Sequence, residues 1–425
     1  MTRHYFHINA VCLLLTLVLA NPFPAAADDH AQKLDGFLSQ GQLQAAHEHF
    51  ASVAQSSPSD QVARTAQGLV EFLQALEFLG QANYRYGLMQ KHAMNLPLAR
   101  LPVPENPDPQ ALSYPQLRTV VAEFQAKLQS AEGTLAAVKT DQIKLPLYLG
   151  RVRLDLDGNN QWADEETLWR IFAAINNAVE PEQGAGFFVA VDGADVHWLR
   201  GYCHFLMAIC DAILAYDQHE LFERCGQLLF PKIESPYLVA QDALPQAGVF
   251  EARVIMDLIA AIHLVRFPLD EPQRLAAAHG HLLAMIEQSR RCWERASDEM
   301  DDDQEWIPNP NQTGVLQVRV SRDLITGWHR VLDELQAILE GRKLIPYWRD
   351  YVDGIFDQPQ IPPRGRGINL KRVFLEPTDF DLVLTIQGSQ MEPYLEEGEL
   401  STPEAWSELT QVFRGQFFGF AIWFN

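Results

Sequence analysis

The sequence predicts a mainly α protein, built as helical hairpins or a bundle with minor β strands. Three observations carry that prediction. Apolar residues recur at helical spacing through most of the 425 residues. Strand-type alternation is confined to two short stretches, Leu145 to Leu154 and Phe380 to Gln387. Prolines gather in two breaker segments, Leu96 to Pro115 and Pro359 to Gly367, which bound the helical blocks. Hydrophobic residues make up 47% and charged residues 21%, a globular composition with enough apolar mass for one large domain or two to three smaller ones. The balance of 33 basic against 55 acidic residues, net −22, excludes nucleic acid as a partner along the chain, since phosphate contacts need clustered Lys and Arg.

The first element is a secretory signal, residues 1–27. Arg3, His4 and His7 precede an apolar run from Ile8 to Ala20; Asn21 and two prolines break it before Ala25-Ala26-Ala27, an A-x-A cleavage pattern. Thirteen apolar residues are short for a membrane anchor. The expected mature chain starts at Asp28, has no membrane span, and is periplasmic or secreted.

Residues 28–95 read as a helical hairpin region. Gly41, Leu43, Ala46, Phe50 and Val53, followed by Pro58, place small and large apolar residues at helical spacing, and Gly68 stands in the next helix. This pattern resembles the tetratricopeptide repeat over about one and a half repeats, which implies helical hairpins and a surface for a protein partner. A long helix continues over 61–92 with Leu69, Phe72, Leu73, Leu76, Leu79 and Tyr86 on one face. Six prolines make 96–115 a linker or long surface loop. A helical domain follows over 116–358, with a helix near 115–138, the short strand at 145–154, and helices over 163–179, 194–216, 218–229, 246–266, 271–297 and 321–340. The last segment, 359–425, is expected to be α/β and to pack on that domain, with a strand at 380–387 and a helix over 403–423. Trp406, Leu409, Phe413, Phe417, Phe420 and Phe424 recur there at helical spacing and predict core packing.

Four cysteines follow the signal. Cys203 and Cys210 lie seven apart in one helix, about 10 Å along its axis, too far for a disulfide. Cys210 and Cys225 flank a turn at Asp217 and are the best pair if a bond forms, but four free thiols buried as small hydrophobes are the leading expectation.

One motif carries chemistry. Asp155, Asp157 and Asn159 alternate, Asn160 stands where the chain must turn sharply, Gln161 offers a backbone carbonyl, and Glu166 closes the run at the twelfth place. Alternate oxygens with a closing carboxylate suit Ca²⁺, which takes six to eight oxygen ligands. The loop resembles that of the EF-hand family over these twelve residues and an exit helix bearing Leu168, Ile171, Phe172 and Ile175. The resemblance implies a calcium site at Asp155, Asp157, Asn159, Gln161 and Glu166, with Trp162 anchoring the loop. The incoming segment reads as a strand, the turn Gly is Asn, and no second loop of this spacing occurs, so a single fixed site is expected rather than a sensor. The competing reading is an Asp/Asn-rich turn capping a helix.

Other candidates are weaker. Asp298 to Glu305 holds six carboxylates in eight residues and reads as a solvated acidic loop. His197, His204, His219, His279 and His281 show no zinc spacing. Arg364, Arg366, Lys371 and Arg372 form a basic island, expected to pair with nearby acids. No catalytic residue is identifiable. The expected function is an exported calcium-binding helical protein with a binding or scaffold role, its partner a protein or a glycan; the alternative is an exported glycan-active hydrolase using two carboxylates in a Trp-lined cleft.

Overall fold

The computed structural model describes residues 25–90, 98, 101–139, 143–175, 184, 186–238, 252–315, 319–351, 361–415, 417 and 420–421. The apolar run at 8–20, the end of the 163–179 helix, the start of the 246–266 helix, Pro359 and Phe424 lie outside the described residues.

The architecture is mainly α. Helices α1 (Ala25–Leu38), α2 (Leu43–Ser56) and α3 (Gln61–Arg85) follow one another through tight turns. Asp60 starts α3 by accepting the Ala63 N–H at 2.9 Å. Helix α4 (Tyr114–Ala136) begins with a reciprocal cap between Ser113 and Gln116 and carries Pro115 in its first turn. The alternating leucines give only a three-residue strand, β1 (Leu145–Leu147), paired antiparallel with β2 (Val189–Val191). Strand pairing stops because Leu149–Arg151 turn as a 3-10 helix, where a Cβ on Gly150 would fall 1.7 Å from the Gly184 carbonyl oxygen.

The expected helix over 163–179 is interrupted. Asp164–Glu166 form a separate 3-10 turn, Thr167 is extended and bridges Arg153, and α5 runs only over Leu168–Ile175. Helices α6 (Gly193–Leu214), α7 (His219–Cys225), α8 (Ala252–Leu264), α9 (Pro272–Asp298) and α10 (Arg322–Leu339) follow. The long pair α6 and α9 packs side by side at the centre of the molecule.

Among the described residues the strands form three small antiparallel sheets: β1–β2, β3 (Arg266–Phe267) with β6 (Phe380–Asp381), and β4 (Ile345–Pro346), β5 (Arg364–Ile368) and β7 (Leu395–Glu399) in the order 4-5-7. Two expectations fail here. The breaker segment at 359–367 is in part strand β5, whose glycines allow close approach: a Cβ on Gly367 would sit 2.7 Å from the Ile345 carbonyl oxygen. Residues 380–387 are strand for only two residues and then become α12 (Leu382–Gln387). Across the pair, the position facing Leu382 is Val265, and before it the partner chain is helix α8 (Ala252–Leu264), so no strand remains to pair with, while Asp381 caps the new helix by accepting the Leu384 N–H at 2.9 Å. Between β5 and β6 lies α11 (Leu370–Leu375), and after β7 comes α13 (Pro403–Gln411), which ends well before the expected 423.

The buried apolar residues form several clusters, one around α1–α3 and another around the C-terminal aromatics. Leu34, Leu38, Phe50 and Leu73 pack with Leu145, Leu154 and Leu156. The other face of α3 joins α4 and α6 through Phe72, Phe124, Leu128, Cys203 and Cys210. Trp293, fully buried, stacks on Phe420 at 5.6 Å, and Trp328 meets Phe413 edge-on, so the C-terminal aromatics serve the core as expected. The four cysteines among the described residues, Cys203, Cys210, Cys225 and Cys292, are buried free thiols. The Cys210–Cys225 bond is not made, because Cys210 points into the α3–α4–α6 core while the Cys225 Sγ–H faces the Asp257 carbonyl at 3.8 Å. Among the described residues no helix is long and apolar enough to cross a membrane.

Candidate metal centres

The twelve-residue run folds as a closed loop between β1 and α5. Its two limbs are clipped by backbone hydrogen bonds: Leu168 N–H donates to the Val152 carbonyl at 2.7 Å, and Leu154 N–H to the Glu166 carbonyl at 3.1 Å. The turn needs left-handed backbone at two places, Gly158 (φ 73°) and Asn160 (φ 57°). Asn is among the few non-glycine residues that enter this region readily. That clip brings the first and last acids of the run together. Asp155, Asp157 and Glu166 each offer a carboxylate oxygen, and these oxygens lie within 4.8 Å of one another.

Asp155 is buried, and its carboxylate accepts the backbone N–H groups of Asn159 and Asn160, both at 3.1 Å. Glu166 is only 2% exposed; its oxygens accept the Leu156 N–H at 2.8 Å and the Ala163 N–H at 2.9 Å. Asp157 accepts from Asn159, whose Oδ1 in turn takes the Gln161 N–H at 2.5 Å. Asn159 and Gln161 thus shape the loop from within. Trp162 lies over Gly41, where a Cβ would come within 2.1 Å of the indole. The loop is thereby seated on the α1–α2 turn. Leu168 and Ile171 of the exit helix enter the α1–α3 core; the side chains of Phe172 and Ile175 lie outside the described residues.

Two residues of α3 complete this centre and carry no local signal in the sequence. Glu77 accepts the Asp155 N–H at 2.8 Å, and the Gln81 amide donates to the Asp155 carbonyl at 2.9 Å. Burial pushes the Glu77 carboxyl up to about 7; the hydrogen bond from Asp155 opposes this, and the charges of Asp155 and Glu166 add to it. A cavity of about 430 Å³ opens on the loop between Gln81, Tyr84, Asn106, Asp108 and Asp157. One wall comes from the proline-rich segment, tied down through Gln110 N–H to the Arg85 carbonyl.

A second acidic centre corrects the reading of Asp298 to Glu305 as a solvated loop. Asp298 and Met300 face solvent, but Glu305 is 1% exposed and Glu299 is half-buried. Both turn toward Asp192, and the three offer oxygens within 4.8 Å of one another. Asn309 pins the loop inward by donating to the Ala296 and Glu299 carbonyls at 2.9 and 3.0 Å. Asp192 caps α6 through the N–H groups of Ala194 and Asp195. Lys144, just before β1, reaches into the cluster: its Nζ is 3.0 Å from Asp301, 3.4 Å from Glu305 and 3.7 Å from Asp192.

One cation does not neutralise this group. Burial, then the charge of Asp192, pushes Glu299 up to about 9. Burial pushes Glu305 up to about 7 against the pull of Lys144. Burial and Asp192 likewise raise Asp195 well above the carboxylate range. Burial works against the charge on Lys144, but Glu305, Asp301 and Asp192 outweigh it and hold the amine above its usual value.

The histidines find other partners. His197 meets Gln288 at 2.8 Å, His279 the Leu339 carbonyl at 2.8 Å, His219 Glu223 at 3.2 Å, and His204 His281 at 3.0 Å between their Nδ1 atoms. Two members of the basic island pair with acids, Arg366 with Asp350 at 2.7 Å and Arg372 with Glu376 at 2.8 Å. Two buried acidic centres able to hold a metal ion are therefore the chemical features of the described residues. No family profile, curated protein or solved structure matches the chain.

Proposed function

We propose that the chain is an exported calcium-binding helical protein, with one structural Ca²⁺ in the 155–166 loop and a binding or scaffold role for its helical surface. The observation that carries this reading is the convergence of Asp155, Asp157 and Glu166 from both ends of one loop. The donors are hard oxygens, and the EF-hand-like spacing adds Asn159 and the Gln161 carbonyl as ligands. An all-oxygen donor set of this kind suits Ca²⁺, which accepts six to eight oxygens in varied geometry, better than Mg²⁺, which demands near-ideal octahedral geometry. The role proposed for the ion is structural because Leu154 and Leu156 of the loop sit in the α1–α3 core. A filled loop would brace that hairpin, whose tetratricopeptide-like pattern supports a protein-binding surface.

Calorimetric titration of chelator-treated protein tests the ion. The expected result is binding of Ca²⁺ in preference to Mg²⁺, in the roughly 10⁻⁴ to 10⁻³ M range of extracellular modules. No heat with Ca²⁺ and no change in melting temperature would leave the loop as a helix-capping turn. Export is tested separately by N-terminal sequencing of the purified protein, expected to begin at Asp28 or within two residues of it. A product starting at Met1 or Thr2 removes the export claim.

One observation favours the hydrolase as a second reading: Glu305, at about 7, and Glu299, at about 9, hold protons near neutrality beside Asp192, as a general acid must. The crowding of Glu305, Asp301 and Asp192 against Lys144 fits an ion pair network better than a substrate cleft. Glycan cleavage that disappears in Glu305→Gln would reverse the order of the two readings.

A further inference from the structure

Helix α8 is apolar on nearly every side: Ala-Arg-Val-Ile-Met-Asp-Leu-Ile-Ala-Ala-Ile-His-Leu. A helix of this kind is normally buried all round. Here Ile255, Met256, Leu258, Ile259 and Ile262 are 41 to 65% exposed. Beside it lies α12, with Val383, Leu384 and Ile386 exposed by 43 to 67%. The two helices leave the β3–β6 pair from the same end, and the Leu382 N–H donates to the Val265 carbonyl at 2.8 Å, so they form one antiparallel face.

Eight of the twelve exposed large apolar side chains among the described residues lie on this face, so it is a patch and not scatter. At these exposures the eight side chains present about 700 Å² of apolar surface, beyond the roughly 300–600 Å² of the largest patch on an ordinary monomer. It approaches the roughly 800 Å² that each partner contributes to a standard interface.

We propose that this α8–α12 face is the interface of a homodimer, occupied by the same face of a second copy. Area is the first argument. Charge is the second: a chain of net −22 meets another copy with least repulsion through a patch whose eight exposed side chains carry no charge. Asp257 is half-buried, and Arg266 at the edge is held by Glu220 at 3.5 Å, so these two ionised groups do not stand free on the face. Two copies related by a two-fold axis would set two α8 and two α12 helices into a four-helix layer, each residue facing its counterpart region.

Sedimentation velocity of the purified protein across a hundredfold concentration range tests the proposal. The expected species has twice the chain mass. Ile259→Glu and, independently, Ile386→Glu bury one charge from each copy and should weaken association at least a hundredfold. Both positions are exposed in the single chain, so the circular dichroism melt of the dilute protein should be unchanged. Met300→Glu, 97% exposed elsewhere, should leave the mass unchanged. A wild-type chain that stays monomeric overturns the proposal, as does a dimer that neither substitution weakens. Monomer that co-sediments with phosphatidylcholine vesicles, and loses this in Ile259→Glu, overturns it in favour of a lipid-facing surface.

Discussion

Replacing Glu166 with Gln is expected to abolish the calcium-dependent rise in melting temperature and to destabilise the ion-free protein as well. At a free Ca²⁺ ten times the dissociation constant, mass action adds about 1.4 kcal/mol, about one to four degrees in a chain of this size. The bidentate charge that closes the loop is lost in the amide, so this increment should vanish. The second effect follows from the hydrogen bonds. Both Glu166 oxygens accept buried backbone N–H groups, from Leu156 and Ala163. The Gln NH₂ would face one of those donors and leave it unpaired, a cost of about 2 kcal/mol. Asp298→Asn, on the exposed part of the acidic loop, should keep the full calcium response. Thermal melts in Ca²⁺ and in chelator measure both effects. A calcium shift of wild-type size in Glu166→Gln would show that the ion, if bound, is held elsewhere.

Lys144→Met should cost about 3 kcal/mol at pH 8, the penalty for stripping the partner from buried carboxylates. The deficit should shrink toward pH 5. The sign follows from the proton inventory. Glu305 and Glu299 are raised from an ordinary value of 4.5 to about 7 and about 9. The folded protein therefore keeps protons that the unfolded chain releases. Stability from these groups is full below about pH 4.5 and is lost as pH rises through 7 and toward 9. With Lys144 present, part of that loss is offset by ion pairing with Glu305, Asp301 and Asp192. Without it, the charged forms repel with nothing between them. Urea unfolding of both proteins at pH 5 and pH 8 tests this, and an equal deficit at the two values would refute it. A divalent cation that restores the variant at pH 8, but not at pH 5, would show that this centre also holds an ion.

The two centres differ in how visible they were before folding. The 155–166 loop is written in consecutive residues, and its left-handed turn at Asn160 follows from local backbone preference. Its contributors from α3, Glu77 and Gln81, read as ordinary polar positions on an amphipathic helix. The second centre was visible only as an acidic run at 298–305 that read as solvated, with nothing to link it to Lys144 or Asp192. Lys144, Asp192 and the loop that carries Glu299 and Glu305 are three separated places, and the acids at 298–305 look alike in sequence. Only the inward pull of Asn309 and the packing of that loop against β2 separate buried Glu305 from exposed Asp298.

From the sequence alone came what near neighbours control. The mainly α fold, the approximate spans of the long helices and the core role of the C-terminal aromatics all rest on periodicity, caps and breakers within a few residues of each other. Tertiary structure decided what depends on distant partners. It turned Leu382–Gln387 into a helix where its neighbour strand ran out, broke the 163–179 helix so that Glu166 could reach Asp155, and kept Cys210 and Cys225 apart on different faces. It also left α8 exposed, although its composition is that of a buried helix. Burial and pairing are set by which surfaces meet, and a local pattern specifies a face to be covered without specifying what covers it.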